Sequence, residues 1–148
     1  MKWFGPDTLA TLTAAIALLV AAPSVRAQEA ADTLMATLSG AAVVGGGDED
    51  GNGTATLRLT PDRVRLCYDL SVSGIADATA AHIHRGAAGS NGPPAITLSA
   101  PTEGASSDCI DVSADIVQEL LSSPEMFYVN VHNPDFPGGA IRGQLGGS

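Results

Sequence analysis

After residue 27 the chain has no lysine and only four aromatic residues: Tyr68, Phe127, Tyr128 and Phe136. Five arginines stand there against fifteen aspartates and glutamates, five minus fifteen giving a net charge of −10 with histidine neutral. A surface so short of cations excludes nucleic acid, whose binding rests on neutralising phosphate, and it repels anionic membranes. So few aromatic rings leave no ladder on which a polysaccharide could stack. No phosphate-cradling glycine loop and no nucleophile elbow occurs. Long hydrophobic runs are missing too. The run over residues 9–22 has 14 residues, against the roughly 20 that span a bilayer. It follows Lys2 and precedes Val25-Arg26-Ala27, a small-x-small sequence. That is the pattern of a cleaved secretory leader over 1–27. Residues 28–148 then form one domain with one core. The expected location is secreted or periplasmic, with no membrane attachment after cleavage.

Cysteine is nearly absent as well, with Cys67 and Cys109 the only two. Around Cys67 the apolar residues Val64, Leu66, Tyr68, Leu70 and Val72 alternate, which turns Cys67 to the other face. Ile110 and Val112 likewise leave Cys109 outward. Two outward cysteines in an exported protein predict a Cys67–Cys109 disulfide.

What the chain does have is period-two alternation. It marks strands at 33–38, 54–60, 63–73, 80–84, 95–98, 108–112, 127–132 and 140–145. Turn residues separate them, including Pro61-Asp62, which reads as a tight hairpin. One stretch departs from alternation: Ile116, Val117, Leu120 and Leu121 are spaced as on a helix. Ser113 can cap that helix, Asp115 suits its positive end, and Pro124 lies just beyond it. Short strands with frequent turns and one helix predict an all-β, antiparallel Greek-key β-sandwich or barrel.

The chain has three histidines: His82, His84 and His132. His82 and His84 share one face of a strand, with Ile83 on the other. In 127–132, Phe127, Val129 and Val131 alternate with Tyr128, Asn130 and His132. With the apolar sets facing the core, all three imidazoles lie on the outer face, where three converging rings could hold copper or, less favourably, zinc. Tyr128 and Asn130 share that face and could support the ligands. The glycine- and proline-rich segment 86–94 reads as a plain connection or as a flap over the histidines. Arg85 and Arg142 read as solvated strand-end charges or as a positive spot able to steer an anion. Asp48-Glu49-Asp50-Gly51-Asn52-Gly53 looks like half a calcium loop. Leu59 stands where the bidentate glutamate belongs, so a glycine-rich turn is the better reading and calcium is not expected.

Four runs in order carry a family likeness: LCYDLSVSG at 66–74, AHIHRGAAG at 81–89, YVNVH at 128–132 and PGGAIRGQL at 137–145. Together they resemble the CHRD domain, a module named for chordin and also found alone in exported bacterial proteins. The likeness covers roughly residues 34–145. It implies an immunoglobulin-like sandwich or barrel and no settled activity. In chordin the domain belongs to a secreted antagonist of growth factors. A second likeness is shorter. His-x-His, a later Val-x-Val-His and then Gly-Gly-Ala-x-Arg is similar to the copper half of copper/zinc superoxide dismutase. That similarity implies His82, His84 and His132 as copper ligands and Arg142 as an anion guide. The three histidines leave none for a second metal.

The chain therefore reads as an exported, monomeric CHRD-type binding module, non-catalytic, with a three-histidine copper site. Its expected partner is an extracellular protein or the metal ion itself. A copper-only oxidoreductase acting on superoxide is the alternative, and a metal-free adhesion domain is the third reading.

Overall fold

The structure is a computed structural model that describes residues 1, 32–60, 62 and 64–147. The leader read at 1–27, Met1 apart, lies outside the described residues, as do Pro61, Arg63 and Ser148. Nine strands follow in order: β1 (Thr33–Ser39), β2 (Asn52–Leu59), β3 (Arg65–Ser73), β4 (Ala80–Arg85), β5 (Pro94–Leu98), β6 (Ala105–Asp111), β7 (Phe127–His132), β8 (Ile141–Gln144) and β9 (Gly146–Gly147). Among the described residues one α-helix, α1 (Ala114–Ser122), joins β6 to β7.

Alternation does what it predicts. Leu34, Ala36 and Leu38 of β1 are buried, as are Ala55, Leu57 and Leu59 of β2 and Leu66, Tyr68, Leu70 and Val72 of β3. Their neighbours face outward. Val64 differs from the sequence reading: it precedes β3 and is exposed. The strands pair antiparallel into one curled sheet with the order β5-β4-β7-β8-β1-β2-β3-β6, and β9 adds to β1. The two halves of the expected sandwich are thus continuous, joined where Ser39 pairs with Arg142. The sheet wraps round one apolar core, nearly closing as a barrel. The all-β antiparallel expectation holds. The two-residue β9 carries no alternation and was invisible in the sequence.

The helix forms where its spacing places it. Ser113 caps it, its hydroxyl accepting from the Ile116 N–H at 3.4 Å. Val117 and Leu120 are buried, and Ile116 and Leu121 pack partly against the core. Pro124 follows the helix and opens a short 3-10 turn that leads into β7.

Cys67 and Cys109 sit opposite each other in the β3–β6 register and form the expected disulfide. It lies on the outer face of the β1-β2-β3-β6 half. Around Asp48 a turn closes on itself: the Gly51 N–H donates to the Asp48 carbonyl and the Asp50 N–H to Asp48 Oδ1.

Candidate metal centre

On the outer face of the β5-β4-β7-β8 half, β4 and β7 run side by side. His82 lies opposite Asn130, and His84 opposite Tyr128. His132, opposite Ala80, completes a triangle around Asn130. The β4–β5 register slips at His84: Ile83 pairs with Ile96 but His84 pairs with Pro94, leaving Ala95 as an extra residue. A bulge of this kind bends the strand and re-aims nearby side chains.

The three rings meet. Their centroids are 5.6 Å apart for His82 and His84, 5.2 Å for His82 and His132, and 6.2 Å for His84 and His132. One nitrogen from each lies within 4.8 Å of the others. Among the described residues, no other group of three His, Cys, Asp or Glu side chains converges in this way. Two imidazoles bound to one ion through bonds of about 2.0 Å, at a tetrahedral angle, hold their nitrogens about 3.3 Å apart. His82 Nδ1 and His132 Nε2 stand 3.3 Å apart, a spacing that without a metal is a hydrogen bond from His82 to His132.

Backbone carbonyls set which nitrogen faces the centre. His84 Nδ1 is 2.8 Å from the Gly92 carbonyl, and His132 Nδ1 is 2.9 Å from the Pro137 carbonyl. A carbonyl only accepts, so each Nδ1 carries the proton and each Nε2 keeps its lone pair. That is the arrangement by which proteins commonly orient ligating histidines. His84 Nε2 is buried and has no hydrogen-bond partner. A buried acceptor left unsatisfied is costly unless something fills the position. The three histidines could hold one metal ion, and the orphaned lone pair fits such an ion.

Electrostatics favour the neutral form of His82 and His84. Burial holds the His82 pKa below the usual histidine range, helped by repulsion from His132 and His84. Burial also lowers that of His84; the Gly92 carbonyl opposes this, while His132 and Arg142 add to it. Neutral imidazole is the form that binds a metal.

The face around the histidines departs from the sequence reading. Tyr128 and Asn130 point outward, yet both are buried: residues 86–93 fold back over Tyr128, and the turn at Gly138 and Gly139 closes on Asn130. The Gly92 N–H donates to the Tyr128 hydroxyl at 3.1 Å, and Gln144 Nε2 donates to the Gly86 carbonyl at 2.6 Å. Segment 86–94 is therefore no bare connection. Arg142 is not solvated: it is 2 % exposed. Its guanidinium donates to the Ala87 carbonyl at 3.1 Å and to Asn91 Oδ1 at 3.3 Å, and lies 3.3 Å from the Tyr128 ring centre. Arg85 turns away, donating through Nε and Nη2 to both carboxylate oxygens of Glu119 at 2.7 and 3.2 Å.

Tyr128 and Asn130 do support the histidines. The Tyr128 ring stacks on His84 with centroids 4.9 Å apart and planes 11° from parallel. Asn130 Nδ2 sits 3.4 Å from His132 Nε2 and donates to the Gly138 carbonyl at 3.2 Å. The carbonyls of Gly92 and Pro137 had no signal in the sequence, since a main-chain acceptor carries no side-chain mark.

Compared with known families, residues 34–145 match the CHRD domain. The chain belongs to the CHRD-domain family. The match spans β1 to the end of β8 and includes all three histidines and both cysteines of this CHRD domain. Among curated proteins and among solved structures, none matches.

Proposed function

We propose that this protein is an exported CHRD-domain binding module that holds one copper ion through His82, His84 and His132. The observation that carries this reading is the buried, unpartnered Nε2 of His84, facing two further imidazoles across the centre. Three imidazole ligands suit copper and zinc alike, and the affinity order of divalent ions ranks copper above zinc. The disulfide accords with an oxidising compartment, as does the leader-like sequence at 1–27. A non-catalytic module is favoured over a superoxide-consuming enzyme because Arg142, the one candidate anion guide at the centre, is buried and donates to Ala87 and Asn91 of the loop.

Copper and zinc titrations of the purified protein, followed by calorimetry, test the reading. The expected result is one copper ion per chain, bound more tightly than zinc, with His84→Ala weaker by about 100-fold or more for the loss of one of three ligands. Equal binding by wild type and His84→Ala would remove the metal site and leave a metal-free interaction domain.

A further inference from the structure

We infer that Arg142 is a positioning residue of the metal centre, acting on His84 through the loop at 86–93 and through Tyr128. This rests on the metal-site reading above. Two routes connect the groups. On the first, the guanidinium donates to Ala87 O and Asn91 Oδ1. That fastens the loop on both sides of its Ala87–Ser90 turn. The next residue, Gly92, presents the carbonyl that accepts from His84 Nδ1. On the second, the guanidinium carbon stands 3.3 Å from the centre of the Tyr128 ring, and that ring stacks on His84, 11° from parallel. The Tyr128 hydroxyl closes the circuit by accepting from the Gly92 N–H. Arg142 and His84 thus both pack against Tyr128, and one loop edge is pinned to all three.

The residue type follows from that task. A planar, delocalised guanidinium can stack on a ring face while donating in its own plane in several directions. A lysine ammonium is a compact point charge and cannot do both. Steering an anion requires a charge open to solvent, whereas this one is closed under the loop with a carbonyl and an amide oxygen taking its donors. The task assigned to Arg142 is to fix which nitrogen of His84 carries the proton and how the ring stands.

Two measurements separate this inference from the metal reading. The first needs no metal: nitrogen NMR of the imidazoles in metal-free protein. In wild type, His84 and His132 should both show the proton on Nδ1. In Arg142→Lys, His84 should lose that preference while His132, held by the Pro137 carbonyl, keeps it. The second is copper titration, where Arg142→Lys should bind about 10- to 100-fold more weakly than wild type, the usual effect of losing a group that orients a ligand. Asn91→Ala removes one exposed acceptor without touching the core and should shift both readouts in the same direction by less. It decides the matter if Arg142→Lys does not fold. An unchanged His84 tautomer and unchanged copper affinity in a folded variant would overturn the inference. A wild type with the expected tautomers that binds no copper would overturn the metal reading and leave Arg142 as the organiser of a metal-free histidine cluster.

Discussion

His82 and His84 couple the centre to the stability of the fold. Both have pKa values lowered chiefly by burial. Below about pH 6.5, the ordinary histidine value, the unfolded chain takes up protons that the folded, metal-free protein refuses. Proton uptake by the unfolded state pulls the equilibrium toward it, so stability falls as pH drops below that value and levels off once the folded pKa values are passed. Thermal melts of metal-free protein between about pH 7.5 and 5.5 should therefore fall more steeply for wild type than for a His82→Gln, His84→Gln double variant. Parallel slopes would mean that the rings are charged as readily in the fold as in water. Asn130 is the other residue with an unsatisfied buried atom, its Oδ1, and Gly139 explains its confinement. A Cβ built on Gly139, at φ 139°, would stand 2.4 Å from that oxygen.

The loop between β4 and β5 decides how the site is presented. Without it, the outer face of β4, β7 and β8 would be an open surface of polar side chains. With it, Tyr128 and Arg142 become interior and His84 acquires a fixed partner. At Gly92 it runs tight against the end of β4, where an added Cβ would clash with the Arg85 carbonyl. Gly92→Ala must push the loop away from β4. The expected outcome is a folded protein, shown by unchanged far-ultraviolet circular dichroism, whose copper affinity drops by about tenfold or more. Affinity equal to wild type would mean that the Gly92 carbonyl does not orient His84. This loop also marks the limit of what could be read in advance. Glycine, proline and asparagine announced a connection, but the loop's path over Tyr128 depends on Arg142 and Gln144, which lie more than fifty residues later in the chain.

The disulfide and the histidine cluster stand on opposite halves of one curled sheet. The disulfide joins β3 to β6; the histidines lie on β4 and β7. With a sequence separation of 42, the disulfide contributes about 4 kcal/mol on the chain-entropy account. Copper at about 100 times its dissociation constant would add about 2.7 kcal/mol by binding only the folded state. Sites this far apart with no shared partners act independently. Denaturant unfolding of a Cys67→Ser, Cys109→Ser variant should show the first loss in full, while copper affinity stays within about twofold of wild type. A large loss of affinity would show that the two halves are mechanically linked.

The alternation of apolar and polar residues was enough to locate eight of the strands, though not β9 or the first residues of β6, and to give the outward disulfide and the histidine side of β4 and β7. Side-chain direction along a strand is a local property with a period of two, so it is written in neighbouring residues. The helix was equally legible, because its cap and its apolar stripe lie within ten residues of each other. Exposure was not. Tyr128, Asn130 and Arg142 face outward by the same local rule, yet they are covered, because burial depends on what distant segments lay over them. The meeting of His132 with His82 and His84, the carbonyls that set two of the imidazoles, and the enclosure of Arg142 all come from contacts between remote parts of the chain. Those contacts exist only once the sheet has curled.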